Sequence, residues 1–491
     1  MANPSVPTTS EGYHWTKKGG LTTGLSSSSV IKPSNLQSNV QEDPYDVVVI
    51  GAGYAGLTAT RDLSLAGHRV LLLEARDRIG GRTYSTNING YPFELGGTWV
   101  HWYQPFVWHE LSRYGLANDL EISPCMDGTG INKTVIRMGD EVISMSHEEE
   151  FAKLDTIFTK FIDVDGQRGR AVVPLPFSQH VVLDAVTRLD GMSLSDRIAE
   201  LGDALSPLDR AMLEAYLSIL CGADFAEASF FDVLRCWALS GYNTLDLLAT
   251  SAAFKPRKGQ SDFARRFFDE AVGTGKLAYR FACPVSAVAD HGALVEVTAR
   301  DGATFTARKA ICTVPLNVLR DISFSPALPA AKLGASELGH VNRVVKVNAE
   351  VRGPHLRSLS GLVHPIGGLN YVFGDGMTAA GNAHVVGMGT KLQPASDVEG
   401  VLATIRAFAL EMEVEVERLV FHDWNGDEFS KGTWCWLRPG MATKYLEALR
   451  ERHGNVLFAS ADWAAGWRGC IDGAIEEGGR VGKEVLDELR A

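Results

Sequence analysis

The chain has no cysteines at the spacing of a zinc site or a disulfide frame. Its seven cysteines stand singly at 125, 221, 236, 283, 312, 435 and 470. Scattered unpaired thiols suit an intracellular, reducing compartment. Basic residues are also in deficit, 47 Lys and Arg against 59 Asp and Glu, and the net charge of −12 argues against nucleic acid or anionic membrane as partner. No apolar run approaches the roughly 20 residues that cross a bilayer, so no transmembrane anchor is expected. Nor does the start hold the apolar block of a secretory signal. Residues 1–44 are rich in Ser, Thr, Pro and Gly and read as an extended surface arm. Within it Glu11-Gly-Tyr-His-Trp15 is expected to dock on the body, where its aromatics leave water. The remaining composition, 45% apolar and 22% charged over 491 residues, is that of a soluble globular chain too long for one simple core.

The most specific stretch runs from Asp46 to Arg82. Asp46-Val-Val-Val-Ile50 reads as a buried parallel strand and leads into Gly51-Ala-Gly53-Tyr-Ala-Gly56, then into a helix ending near Gly67. Gly51 suits a tight turn, Gly53 lets backbone approach a pyrophosphate, and Gly56 permits close helix packing. The helix N-terminus points its free N–H groups at the phosphates. A second strand, 69–74, ends in Glu74, which can accept hydrogen bonds from ribose hydroxyls and repels a 2′-phosphate. Arg76, Arg78 and Arg82 follow, suited to gripping a pyrophosphate, and then Gly96-Gly97-Thr98-Trp99, a turn against which a flat ring can lie. Far away, 455–462 reads as a strand ending in Asp462, and the helix after Cys470 has apolar or small residues at a period near 3.6 through Val485.

The fingerprint, the E-A-R-x-R-x-G-G-R segment and the G-G-T-W segment, in this order, resemble the flavin-containing amine oxidase family, most closely its fungal monoamine oxidases. The resemblance implies FAD, an α/β fold with a discontinuous Rossmann-like FAD-binding domain (45–115, 256–318 and 424–491), and an inserted mixed α+β substrate domain (116–255 and 319–423). It also implies that Val285 meets the adenine, that Asp462 bonds the ribityl or phosphate region, and that the backbone at Ile471 faces the flavin pyrimidine oxygen. Between the nucleotide segments, 192–248 reads as helical with caps at Ser193 and Ser206, and 343–351 as an alternating strand.

Chemistry at the substrate side also comes from the resemblance. Flavin amine oxidation needs a desolvated neutral amine held with its α-carbon over the ring and oxygen access afterwards; aromatic walls meet those needs. Lys431-Gly-Thr-Trp434-Cys-Trp436 falls where relatives carry S-G-G-C-Y, so Trp434 takes one wall of the aromatic cage, and Thr433 replaces the cysteine that bonds the flavin in mammalian enzymes. A noncovalent FAD is expected. Cys470 stands where relatives place the other aromatic wall, which leaves room for a bulkier, secondary amine. Relatives put a lysine after V-P-L-x-V-L; here Arg320 and Asp321 follow, with Arg320 as the candidate substitute. The bland readings are core aromatics for Trp434 and Trp436 and a small filler for Cys470.

The leading expectation is oxidation of a primary or bulkier secondary amine to an imine, with O2 regenerating FAD and releasing hydrogen peroxide. A polyamine or L-amino-acid oxidase, a nicotinamide-dependent dehydrogenase and a non-catalytic FAD scaffold stay open as alternatives. The C-terminal Leu-Arg-Ala is not a peroxisomal S-K-L tripeptide, so the sequence does not choose between cytoplasm and peroxisome, nor between monomer and homo-oligomer.

Overall fold

The structure, a computed structural model, describes residues 6–36, 44–125, 128–177, 183–410 and 412–490. Two large sheets organise it. In the first, Leu277–Arg280, Val70–Leu73, Tyr45–Ile50, Thr304–Cys312 and Val456–Phe458 run parallel, and Val295–Ala299 and Val285–Asp290 extend it antiparallel. Val47, Val48, Val49 and Val70 to Leu72 are wholly buried, as parallel strands covered on both faces must be. Helix Tyr54–Leu65 follows the first of these strands, and helix Ile471–Arg490 packs against it. The contact is close because position 478 is glycine: a Cβ there would stand 2.3 Å from the Ala55 carbonyl oxygen. The strand order and the two helices are those of a Rossmann-like dinucleotide domain. Ser323–Ser325 also joins this sheet, past the boundary expected at 318.

The second sheet has nine strands and is mostly antiparallel. Strand Val345–Val351 lies inside it, between Val416–Phe421 and Ala383–Gly389. Its alternation is real, but both faces are buried. Val345, Val347, Ala349 and Val351 enter one apolar cluster. Lys346 and Asn348 turn the other way, onto the backbone of Glu94 and Gly96. The helical reading of 192–248 resolves into Leu194–Leu201, Pro207–Cys221, Phe230–Leu239 and Thr244–Ala252, with Ser193 and Ser206 each closing a capping box. Among the described residues no helix is long and apolar enough to cross a membrane.

The arm differs from expectation. Thr8–Thr16 and Gly20–Ser26 form a hairpin whose first strand pairs with Val416–Phe421, so the segment is an ordered edge of the nine-stranded sheet, with its outer strand largely exposed. Tyr13 stacks on Phe421 at 5.0 Å, which is how the aromatics of Glu11 to Trp15 leave water. Residues 1–5 and 37–43 lie outside the described residues.

Candidate active site

One cavity of about 380 Å³ connects the dinucleotide turn to the space beneath the second sheet. It begins at Gly51, whose φ of +104° opens the turn after strand Tyr45–Ile50. A Cβ at Gly56 would sit 1.9 Å from the Gly51 carbonyl, so helix Tyr54–Leu65 can start there only with glycine. That helix has no side-chain cap and no acid in its first turn, and Tyr54 and Ala55 line the cavity. Its N-terminal N–H groups are thus left for an anion. Gly53, Gly81, Gly96 and Gly97 line the same space. Glu74 stands at its edge, its carboxylate accepting the N–H of Ala52 at 2.6 Å and of Arg76 at 2.9 Å; burial raises its pKa. Val285 also lines the cavity. A glycine cradle, an uncapped helix start and an acid beyond the next strand fit a dinucleotide such as FAD.

Two expectations about this end change. The guanidinium groups do not stand free for a pyrophosphate. Arg78 is wholly buried and does not line the cavity; it donates to Glu11 at 2.6 Å and to the Gly81 carbonyl at 2.8 Å. Arg76 lines the cavity but pairs with Asp427 and, at 2.9 Å, with Glu11. Arg82 lines it too, donating to the Thr433 carbonyl and to Asp462, both at 2.7 Å. Asp462 itself does not line the cavity: fully buried, it also accepts the Leu316 N–H at 2.8 Å, so it anchors Arg82. Burial alone would raise its pKa, but Arg82 and then His340 outweigh that and keep the carboxyl below its ordinary range.

At the other end, Trp434 lines the cavity with its indole N–H donating to the Leu220 carbonyl at 2.9 Å. Cys470 and Ile471 line it as well, at the start of helix Ile471–Arg490. Burial pushes the thiols of Cys470 and Cys435 well above their ordinary values, which leaves both protonated and unreactive. Thr433 also lines the cavity and bonds the Asn342 side chain. Arg320 is not part of this site. It is exposed, and its guanidinium reaches the Glu337 carbonyl on the outer surface.

A cavity-lining lysine comes instead from the second sheet. Lys346, inside strand Val345–Val351, lines the cavity with its ammonium 2.5 Å from the Thr98 hydroxyl and 4.5 Å from the Trp99 ring centre. Burial pulls it down to about 8, against Asp375 and Glu94, which favour its charge. Trp99 is held by its indole N–H, which reaches the Ser123 hydroxyl and Asp375. Tyr371 and Phe373, stacked at 5.1 Å, complete this wall. Sequence reasoning missed Lys346, although a lone lysine within V-V-K-V-N-A was a signal: a strand spends a charge inside an apolar run only at a binding surface or an ion pair.

The cavity's described acids are all engaged. Glu74 holds two backbone N–H groups, Asp321 pairs with Lys431, and Asp232 pairs with Arg468 and accepts the Leu437 N–H.

Comparison with known proteins agrees with this geometry. The chain is 34% identical over 460 residues to a pseudooxynicotine dehydrogenase of a Pseudomonas species, covering 93% of this chain and 88% of that one. It is 31% identical over 471 residues to a nicotine dehydrogenase of Pseudomonas putida, covering 95% and 93%. Its fold superposes on cyclohexylamine oxidase from Brevibacterium oxydans with a TM-score of 0.73 at 20% identity, over 91% of this chain and 100% of that one. The family model for flavin containing amine oxidoreductases matches residues 54–486, and the chain belongs to that family.

Proposed function

We propose that, within the FAD-dependent amine oxidation of its family, this chain acts on a bulky secondary or N-methylated amine bearing an aromatic ring, a substrate of the nicotine type, and holds FAD without a covalent bond. Bound FAD supplies the acceptor for the hydride equivalent lost from the carbon next to nitrogen. The observation that carries the reading is a cavity continuous with the dinucleotide cradle, walled by Trp434, Tyr371 and Phe373, in which no described carboxylate is left unengaged. A polyamine, charged at both ends, would need such a carboxylate. The names of the two Pseudomonas relatives support a cyclic or chain amine carrying a pyridine ring.

The protein's part is positional. Trp434 and the stacked Tyr371–Phe373 pair exclude water and favour the neutral amine, whose lone pair must be free. Cys470 in place of an aromatic leaves room for a substituent on nitrogen. The Gly51–Gly56 turn and the helix start at Tyr54 would hold the pyrophosphate, and the dipole of helix Ile471–Arg490 would favour negative charge beside its N-terminus. Lys346, neutral above about pH 8, holds or accepts a proton beside Thr98. Overall the amine loses two electrons and two protons, dioxygen gains them as hydrogen peroxide, and water hydrolyses the imine to a carbonyl compound and an amine. Thr433 and the protonated Cys435 offer no thiolate for a bond to the cofactor.

The test is peroxide release by the purified yellow protein across a panel of benzylic, cyclic, N-methylated pyridyl and polyamine substrates. Turnover of the N-methylated pyridyl amines with little on putrescine-like diamines is expected; preference for the diamines would overturn the substrate class.

A further inference from the structure

We propose that Asp375, which does not line the cavity, is a positioning residue for the oxidation: it holds the Trp99 ring from behind and governs whether Lys346, lying over that ring, carries its proton. The proposal rests on the amine-oxidase reading and deepens the part given there to Lys346.

Strand Tyr371–Met377 is built to turn Asp375 inward. Gly374 faces Val385 and Gly376 faces His384, so Asp375 between them is an extra residue, a bulge of the kind that re-aims one side chain. Glycine is needed on both sides of it. A Cβ at position 374 would stand 2.1 Å from the Arg357 carbonyl oxygen, and one at 376 would stand 2.1 Å from the Tyr91 hydroxyl. The carboxylate placed in this way is fully buried. One oxygen accepts the Trp99 indole N–H at 3.3 Å, and the other accepts the Lys255 ammonium at 2.6 Å. The Lys346 ammonium stands over the same indole, 4.5 Å from the ring centre. A carboxylate on the N–H makes the ring face richer in electrons, and a cation on that face is held more firmly. Asp375 therefore acts on Lys346 through the ring as well as by its own charge.

The neighbours of Asp375 leave that charge to two lysines. His384, from strand Ala383–Gly389, comes within 3.3 Å, but burial pulls it down to about 3 and leaves it neutral, bonded to the Tyr91 hydroxyl and to Asn348. Burial likewise keeps the Tyr91 phenol protonated. Arg357 gives its donors to the Ser123 and Gly374 carbonyls. Glu94 accepts the Gln260 N–H and the Ser85 hydroxyl, and Glu121 faces Lys255 and Tyr91. Burial would raise the Asp375 carboxyl, and Lys255 foremost overrides it and keeps the group ionised. On Lys346 the pair act in opposite senses: Asp375 favours the ammonium and Lys255 opposes it.

Opposite displacements of one ionisation are a result that loosened packing does not imitate. In the holoenzyme, Asp375→Asn removes the anion and is expected to move the bend of kcat/KM against pH, near pH 8 in the native enzyme, down by about one pH unit. Lys255→Met removes a cation and is expected to move the bend up, whereas Lys255→Arg keeps the charge and should leave it in place. A bend unmoved in Asp375→Asn, or displaced the same way in Asp375→Asn and Lys255→Met, would overturn the proposal. Trp99→Phe leaves the Asp375–Lys255 pair intact and keeps an aromatic face but loses the indole N–H, so its bend is expected to fall by a smaller amount. Should the two charge variants fail to fold, Trp99→Phe decides alone, and an unmoved bend there overturns the proposal. A second readout needs no turnover: urea unfolding of the same FAD-bound proteins from pH 6 to 10. Stability rises with pH above the folded Lys346 value, because up to 10.5 the unfolded lysine binds more protons, and the onset of that rise should move with each variant as the bend does. If no amine is oxidised, the amine reading fails instead, and the unfolding profiles alone decide whether Asp375 governs the Lys346 proton.

Discussion

Lys346 loses its proton near pH 8, whereas the same lysine in the unfolded chain keeps it to 10.5. Between those values the folded state binds fewer protons, so the side chain's contribution to stability improves as pH rises through the window. The same ionisation belongs in the activity. A bend near pH 8 is expected in the profile of kcat/KM against pH, and Lys346→Met should lose that bend and at least about tenfold of kcat, the range of a positioned proton carrier; stopped-assay profiles from pH 6 to 10 check it. Residue identities that depend on backbone approach or turn geometry were readable in advance: Gly51, Gly56 and Glu74 each suit one physical requirement. The lysine was not, because neighbours in sequence do not fix which side chain reaches the cavity: Arg320 points outward, while Lys346 reaches Thr98 from a strand of the other sheet.

At the scale of elements, strand Thr8–Thr16 brings Glu11 to Arg76 and Arg78, where Asp427 and His422 also meet. Glu11, His422 and Asp427 offer ligand atoms close enough for a metal, but the two guanidinium groups already neutralise the carboxylates. Asp427 is held far below the usual carboxylate range by His422 and Arg76, against the burial that would raise it. Its contribution to stability is therefore present above about pH 4 and is lost as pH falls towards its folded value. Glu11→Gln leaves Arg78 buried without its charge partner. A loss of about 3–5 kcal/mol is expected, the usual cost of breaking a buried ion pair, measured by urea unfolding at neutral pH. Local pattern could not show that the arm is a strand. Its partner, Val416–Phe421, lies some four hundred residues along the chain, and edge pairing carries no signal in the arm itself. Capping at Ser193 and Ser206 was legible because all the atoms involved lie within three residues.

Across the whole molecule, distant pieces of chain meet at one cavity: the turn after strand Tyr45–Ile50, the Gly96–Thr98 loop, Lys346 and the start of helix Ile471–Arg490. Ligand binding should therefore be felt globally. Protein stripped of cofactor is expected to regain about 3 kcal/mol of stability at FAD concentrations near a hundred times Kd, seen as a rise in Tm by calorimetry. Acid precipitation should leave the yellow colour in the supernatant; colour in the pellet would show a covalent bond and overturn the noncovalent assignment. The amino-acid sequence by itself determined the dinucleotide turn, the two nucleotide strands, the capped helices and the family, since these rest on neighbours within one turn or strand. Only the tertiary structure decided which charges are free. Whether Arg76, Arg78, Arg82 or Arg468 has a donor to spare depends on Glu11, Asp427, Asp462 and Asp232, and those partners come from parts of the chain that meet only when both sheets close over the cavity.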